Sequence, residues 1–245
     1  MYVKNSEFEE PTDNTIIWRY VDLIKFIFYL ENNALFFVRS DQLPDRYEGK
    51  FTEADLKLWE DKLNSKTKLN QMEIYDRFRK IVNVSSWHIN EIESAAMWKI
   101  CLQSNEGVAV KSTFKRLKDS FIPHTEDEIN IGKVKYIDYN TDVIPKGNTF
   151  FPFLFKRKAF KYENELRAVI MKFAPQDETI GKHILYVDPK WLGIPVKTDL
   201  DTLIDKIVVS PSVPEWVINL VKSIVKKYGL NKKIEASELS KDPPY

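Results

Sequence analysis

Two periods of apolar residues, one of two positions and one of about 3.6, divide the chain into predicted strands and helices. Residues 15–21 are β-branched and aromatic, which favours a strand, and residues 23–30 repeat apolar side chains at helical spacing. The same criteria predict strands at 34–38, 82–89, 107–111, 131–136, 183–187 and 206–209 and from Glu165 onward. They predict helices at 51–63, 69–81, 93–102, 113–121 and 214–228. Because these elements neither alternate strictly nor segregate into halves, the pattern indicates an α+β fold with a mixed sheet.

The chain is predicted to be one domain preceded by a short arm. Residues 1–14 are polar and acidic and contain Pro11, which is typical of a flexible N-terminal arm. No later stretch has the composition of a linker, so residues 15–245 are expected to form a single α+β domain.

The amino-acid composition of the chain excludes several classes of function. Of 245 residues, 43% are hydrophobic, and the net charge of +1 is too small for a global field that attracts nucleic acid or anionic lipid. The seven glycines form no phosphate-binding loop motif, and one cysteine with three histidines is too scattered for a zinc site. The lone Cys101, the polar N-terminal segment and the lack of a long apolar run predict a soluble cytoplasmic protein without a membrane span.

The segment that starts at Glu163 is a strong candidate for chemistry. In an extended chain, Glu163, Glu165 and Arg167 project from one face, and Leu166 belongs to the other. An arginine beside a glutamate keeps that carboxylate ionised, which suits a group that binds hydroxyls and stabilises a cation. The alternative is a solvated strand face with cross-strand ion pairs.

Arg19 lies between Trp18 and Tyr20, which alternation places on the opposite face of the first strand. A charged side chain among apolar neighbours is costly to bury unless it is paired. Arg19 therefore either grips a phosphate or carboxylate in a cleft, or lies on an edge strand with its stem packed and its head in water.

Polar residues interrupt the strand predicted at 82–89, in the run Ser85-Ser86-Trp87-His88. Ser86 and His88 share a face, but this spacing alone does not make a nucleophile pair, and no nucleophile-elbow motif is present. Interrupted patterns are nevertheless typical of functional sites. In the following helix, Met97 and Trp98 form either core or a cofactor platform, and we expect Trp98 to be buried.

A basic stretch precedes the glutamates. Lys156, Arg157 and Lys158 are interleaved with Phe155 and Phe160, a combination that can stack bases and follow a phosphate backbone. The alternative is a solvated helix face, which the near-zero net charge favours.

Together these stretches resemble a bacterial family catalogued as domain of unknown function 2971. The matching pieces, in the family's order between about residues 16 and 210, are WRYVDLIKFIFYLENNALFFVRSDQLPDRYEG, VSSWHINEIESAAMWKIC with GVAVKST, and FKRKAFKYENELRAVI. Asp45, Tyr47 and Glu48 match the family's Asp-Pro-aromatic-Glu loop, in which Arg46 here replaces the proline.

More distantly, the layout is similar to that of ADP-ribosyltransferases, especially toxins that modify single-stranded DNA. This resemblance implies a largely antiparallel, twisted sheet, either whole or split into two halves, flanked by helices. It also implies NAD as the substrate, no metal, and a role as a toxin or phage-defence effector. Glu165 and Arg19 would then be the catalytic residues, with Glu165 stabilising an oxocarbenium-like state and Arg19 holding a pyrophosphate or ribose oxygen.

The same resemblance assigns the remaining binding roles. Ser85 or Ser86 would orient the ribose, Trp87 or Tyr47 would stack on nicotinamide, and Arg167 would keep the carboxylate ionised. A nucleic-acid or protein acceptor would be guided by three basic residues, Lys156, Arg157 and Lys158.

Two other function classes stay open. One is a non-enzymatic sensor or adaptor that binds a nucleotide or nucleic acid in the same cleft. The other is a metal-dependent nuclease, whose ligands would have to come from Asp45, Glu48, Glu91 and Glu93. Release of nicotinamide from NAD distinguishes the transferase from a binding module.

Overall fold

The computed structural model describes residues 1–60, 65–172 and 192–243, which form an α+β fold. The strands are β1 (Ile16–Asp22), β2 (Ala34–Arg39), β3 (Val82–Ile89), β4 (Gly107–Thr113), β5 (Ile129–Lys133), β6 (Lys135–Ile137), β7 (Phe155–Arg157), β8 (Glu165–Met171), β9 (Gly193–Lys197), β10 (Lys206–Val209) and β11 (Lys233–Ala236). The helices are α1 (Leu23–Asn32), α2 (Glu53–Glu60), α3 (Ser65–Ile81), α4 (Ala95–Cys101), α5 (Phe114–Asp119), α6 (Leu200–Leu203) and α7 (Glu215–Lys227). The strand predicted at 183–187 lies outside the described residues. Among the helices described, none is both long enough and apolar enough to cross a membrane.

Strand β3 organises the sheet, because it has a partner along one edge and two partners along the other. It pairs with β8 from Val82 to His88. Its other edge pairs with β2 at Val84 and with β1 at His88, so the sheet forks between β1 and β2. Strands β4, β10 and β11 extend the β1 branch, β9 extends the β2 branch, and β5 lies beyond β8.

The predicted mixed, largely antiparallel sheet is confirmed for the part of the chain described. Within the nine-stranded sheet, the strands named above pair antiparallel except β10 with β11. Strands β6 and β7 form a separate parallel pair. Each strand of the nine-stranded sheet is therefore hydrogen-bonded to at least one other strand, and the sheet branches at β3.

One side of the sheet, which we call the first face, carries a large apolar core. Strand residues such as Ile17 and Leu166 pack there against Phe26 of α1, Leu117 of α5 and Val221 of α7. The valines of α7 recur at helical spacing, so that the amphipathic helix predicted near the C-terminal end buries its apolar stripe here.

The opposite side, the second face, holds two smaller apolar clusters with polar residues between them. Trp18 and Tyr20 pack with Trp98, whose predicted burial is confirmed at 4% exposure. Val84 and Val169 pack with the segment 150–155. Between the two clusters, the register of β3 with β8 places four polar residues on this face: Ser86, His88, Glu165 and Arg167.

Residues 1–14, predicted as a flexible N-terminal arm, lie against the rest of the domain. The amide of Val3 donates to the carbonyl of Ile129 at 2.9 Å, so the segment lies along the outer edge of β5. Phe8 is buried against the rings of Phe150 and Phe151. Aromatic contacts from Tyr2 and Phe8 and an open strand edge hold a segment whose composition alone favours disorder.

Candidate functional site

Five charged side chains meet on the second face, and we call them the charge cluster: Glu48, Lys156, Glu163, Glu165 and Arg167. Arg167 Nη2 lies 2.5 Å from Glu165 Oε2 and 2.6 Å from Glu48 Oε2. Lys156 Nζ lies 2.5 Å from Glu163 Oε2 and 3.3 Å from Glu48 Oε1. Three carboxylates therefore share two cations, in a site where Arg167 has no exposed surface.

Regular strands and short turns bring these residues together. Glu165 and Arg167 are alternate residues of β8, and Lys156 is the middle residue of β7. Before β8, the chain turns at Asn164, whose backbone is left-handed at φ 39° and whose side-chain amide donates to the carbonyl of Ile89 at 2.7 Å. This contact fixes the start of β8 against the end of β3.

The two neighbouring glutamates have opposite pKa shifts. Burial raises the pKa of Glu163, and the charge of Glu165 raises it further. Burial also disfavours the charged form of Glu165, but Arg167, Lys156 and a hydrogen bond from Ser86 together hold its pKa below the usual value. Glu165 is therefore the ionised carboxylate of the pair, and Glu163 is the one that holds a proton more readily.

The two cations are held in their charged forms by the carboxylates. Burial acts to lower the pKa of Lys156, but Glu165 and Glu48 raise it above its ordinary value. The same two glutamates raise the pKa of Arg167 against the effect of its burial. Instead of the solvated strand face that was the alternative interpretation of this segment, the structure has a buried ionic network.

Solvent reaches the charge cluster where its neighbours are half-buried, at Ser86, Glu163 and Tyr136. The hydroxyl of Tyr136 accepts a hydrogen bond from the amide of Glu165 at 2.9 Å. Burial and the neighbouring Glu165 charge raise the pKa of that hydroxyl, although the amide bond acts in the opposite direction. A serine hydroxyl and a phenol therefore lie between Glu165 and the surface of the second face.

A cleft of about 280 Å³ opens beside the charge cluster, and its lining residues are Tyr47, Ile137, Asp138, Tyr139, Asn140, Arg157 and Lys158. Arg157 makes a two-pronged ion pair with Asp45, at 3.1 and 2.8 Å, and its guanidinium lies 4.3 Å from the centre of the Tyr47 ring. The Lys158 side chain is 62% exposed.

Tyr47, predicted to stack on nicotinamide, and Arg157 and Lys158, predicted to guide an acceptor, therefore line one cleft. Neighbouring residues connect this cleft with the charge cluster, because Glu48 follows Tyr47 and Lys156 precedes Arg157. Lys156 itself was predicted to guide an acceptor, and the structure corrects this: it is buried within the charge cluster, where three carboxylates surround its ammonium group.

Arg19, Ser85 and Trp87 lie on the first face, so the sheet separates their side chains from Glu165. Arg19 fills the fork of the sheet. It donates to the carbonyl of Ser86 at 2.7 Å, to the carbonyl of Phe36 at 3.3 Å and to the Ser85 hydroxyl at 3.0 Å.

Two sequence-based roles change as a result. Trp87 is 1% exposed in the apolar core of the first face, so its ring has no surface on which nicotinamide can stack. Arg19 approaches the Glu165 region only through Ser86, whose carbonyl it binds and whose hydroxyl bonds Glu165 from the other face. Alternation along β1 correctly placed Arg19 on the face opposite Trp18 and Tyr20. Which residues of other strands share the face of Arg19 depends on strand pairing, which alternation does not predict.

The carboxylates considered for a nuclease do not converge. Asp45 and Glu48 are paired with different arginines, Glu91 is exposed, and Glu93 accepts a hydrogen bond from the Trp98 indole. Across residues 1–60, 65–172 and 192–243, no group of three or more His, Cys, Asp or Glu is placed to hold a metal ion.

Sequence reasoning undervalued Glu48, Glu163 and His88. Glu48 was considered only as part of the loop that resembles Asp-Pro-aromatic-Glu and as a candidate metal ligand. Its partner Arg167 is far away in the chain, so no local pattern indicates the pair. His88 was weighed only as a partner for a serine.

Comparison with protein-family models, curated proteins and solved structures gave no match to this chain.

Proposed function

We propose that this protein cleaves the nicotinamide–ribose bond of NAD and transfers ADP-ribose to a nucleic-acid or protein acceptor, with the charge cluster as its catalytic centre. A role as a toxin or phage-defence effector belongs to the same proposal. The observation that carries it is the pair of carboxylates, Glu163 and Glu165, whose environments shift their pKa values in opposite directions. Such divergence between adjacent titratable groups is typical of acid–base and electrostatic catalysis.

Glu165 supplies the negative charge that the reaction needs. Departure of nicotinamide leaves positive charge on the ribose, as in other glycosyl transfers. A carboxylate that stays ionised in a water-poor site stabilises that charge more than it stabilises the uncharged ribose ring of the substrate. Arg167 and Lys156 keep Glu165 ionised and fix its position.

Glu163 and Ser86 complete the ribose site in this proposal. Glu163 lies beside Glu165 and differs from it in the direction of its pKa shift, so it provides a second carboxyl group for a ribose hydroxyl. Both Ser86 and Glu163 are half-buried at the entrance to the cluster.

The cleft would hold the remainder of the nucleotide. Tyr47 is 44% exposed and offers an aromatic surface, and Lys158 is an exposed cation at 3.6 Å from its nearest acidic partner, Asp142. A ring and an exposed ammonium group suit a base and a phosphate, respectively. In this assignment the phosphate is bound on the side of the sheet that carries Glu165. Arg19, the residue predicted for that contact, uses its donors to bind backbone carbonyls.

A non-enzymatic nucleotide-binding module is the second candidate, and one observation favours it. The carboxylates of the charge cluster are all ion-paired at 2.6 Å or less. A network satisfied in this way can serve as a rigid support for the cleft. Such a protein would bind NAD or ADP-ribose without turnover.

The test is release of nicotinamide from NAD labelled in that ring, measured alone and with DNA, RNA or lysate protein. Glu165→Gln is expected to lower the rate by about 10²–10³-fold, the usual cost of losing preorganised charge. The variant leaves two carboxylates with two cations in the cluster, so we expect it to fold, which a melting curve checks.

Glu235→Gln is the matched control. Glu235 is also paired with lysines, and Lys206 and Lys233 lower its pKa to about 2, but it lies on β11 at the far end of the sheet. Its substitution should leave the rate unchanged. Wild-type protein that binds NAD without releasing nicotinamide under any of these conditions would establish the binding module instead.

A further inference from the structure

His88 is a buried imidazole beside Glu165 with one nitrogen unused. The register of β3 with β8 pairs His88 directly with Glu165. His88 Nδ1 lies 2.6 Å from the backbone carbonyl of Glu163, whereas Nε2 is buried without a hydrogen-bond partner in the described residues. The residue is 7% exposed.

The contact at Nδ1 determines which nitrogen is free. A carbonyl oxygen only accepts hydrogen bonds, so Nδ1 must carry the proton that is donated to Glu163. In the neutral ring, Nε2 then has an available lone pair. Buried polar atoms are usually satisfied, and an exception at a charged site calls for a functional explanation.

We propose that His88 Nε2 is the general base that activates the acceptor. This inference rests on the proposed function and names the group that receives the acceptor's proton. As the bond between ribose C1′ and nicotinamide breaks, its electron pair goes to the nicotinamide nitrogen and cancels the charge of the ring. The acceptor oxygen or nitrogen forms the new bond to C1′, and its proton passes to Nε2. Atoms and charge balance without any further reactant.

The surroundings of His88 fit this role. Ser86, two positions earlier on the same face of β3, is half-buried, so the solvent-accessible surface nearest to His88 along this face of the strand carries a hydroxyl. Glu165, the cross-strand partner, supplies negative charge that stabilises the imidazolium once the proton has arrived. The bond from Nδ1 to Glu163 holds the ring in one orientation.

The decisive variant is His88→Asn. An asparagine amide nitrogen replaces Nδ1 and keeps a donor for the Glu163 carbonyl, but nothing replaces Nε2. His124→Asn is the control, since His124 is also buried with an unpartnered Nε2 but lies at 3.4 Å from Asp127, away from Glu165.

We expect His88→Asn to lower the rate of transfer to acceptor by about 10²–10⁴-fold, the range for general acid–base catalysis, with NAD affinity unchanged. The control should retain both the rate and the NAD affinity.

A second measurement does not depend on turnover. Nitrogen NMR of histidine-labelled protein should show a ligand-induced change at His88 Nε2, and none at His124, when ADP-ribose is added. If His88→Asn keeps the wild-type rate of transfer, the inference is wrong while the proposed function stands. If the wild-type protein releases no nicotinamide, the proposed function fails and the general-base role fails with it, whereas an NMR change would still place ligand at His88.

Discussion

The two faces of the sheet bury their side chains by different means. The first face is covered by helices α1, α5, α6 and α7 over a large apolar core, whereas the second face has two apolar clusters with the charge cluster between them. Helices supply apolar stripes to the first face, whereas a loop and a short strand supply the charges of Glu48 and Lys156 to the second. Burial of apolar area stabilises the sheet on one side, and paired charges stabilise it on the other. A buried charge is unfavourable without its partner.

The largest effect is expected for Arg167→Met, which leaves three carboxylates with one cation. Breaking a buried pair by removing one partner costs about 3–5 kcal/mol of unfolding free energy. Because the remaining carboxylates would take up protons to relieve the imbalance, the loss should be greater at pH 7 than at pH 5. Denaturant unfolding at the two pH values measures this.

Leu117→Ala on the first face is the comparison. Leu117 has no exposed surface, and its truncation is expected to cost about 2–5 kcal/mol through lost burial and a cavity. Its loss should be equal at pH 5 and pH 7. If the two variants depend on pH in the same way, the proposed difference between the faces disappears.

An intermediate effect is expected for Arg19→Met at the fork. The carbonyls of Ser86 and Phe36 would lose a donor, and an unsatisfied buried acceptor costs about 1–3 kcal/mol. Arg19→Lys keeps the charge without the planar set of donors, so it should recover only part of the stability. Thermal unfolding of both variants provides the measurement. If Arg19→Met loses more NAD turnover than its unfolded fraction accounts for, Arg19 has the catalytic role predicted from the sequence.

The smallest effect is expected for Glu163→Gln. Since the pKa of Glu163 is raised in the folded state, the fold binds its proton more tightly than the unfolded chain does. The stability from this group is therefore present below the ordinary value of 4.5 and is lost as the pH rises through the folded pKa. The melting temperature of the variant should thus improve relative to wild type between about pH 4 and pH 8. A difference that is constant with pH would contradict the assignment of a raised pKa.

The sequence allowed prediction of the elements that are regular and local. The bounds of β3 and β10 agree with the predicted strands, and alternation along β8 correctly put Glu165 and Arg167 on one face. Strands β9 and β11 were not predicted, because Pro195 interrupts the first and the second is a four-residue edge strand. Short edge strands carry little periodicity of their own.

The candidate site could be predicted only in part, since its partners come from distant segments. Burial of Glu165 depends on Glu48 and Lys156, which lie on a loop and on a three-residue strand without a periodic pattern. Asp22 shows the same limit at a helix start. An aspartate directly before a helix commonly caps it, but the Asp22 carboxylate accepts from the Gln103 amide and makes no side-chain cap.

The position of β3 at the branch of the sheet has a consequence for the order of folding. The contacts that build both sides of this strand are remote in the chain, with 67 positions between Arg19 and Ser86 and 75 between His88 and Glu163. Closing such long loops slows folding, because chain entropy is lost before the contacts form. Local helices can form before such contacts, but the charge cluster joins Glu48, on a loop early in the chain, to Lys156 and Arg167 on later strands. Its carboxylates are therefore paired completely only in chains in which these distant segments have met.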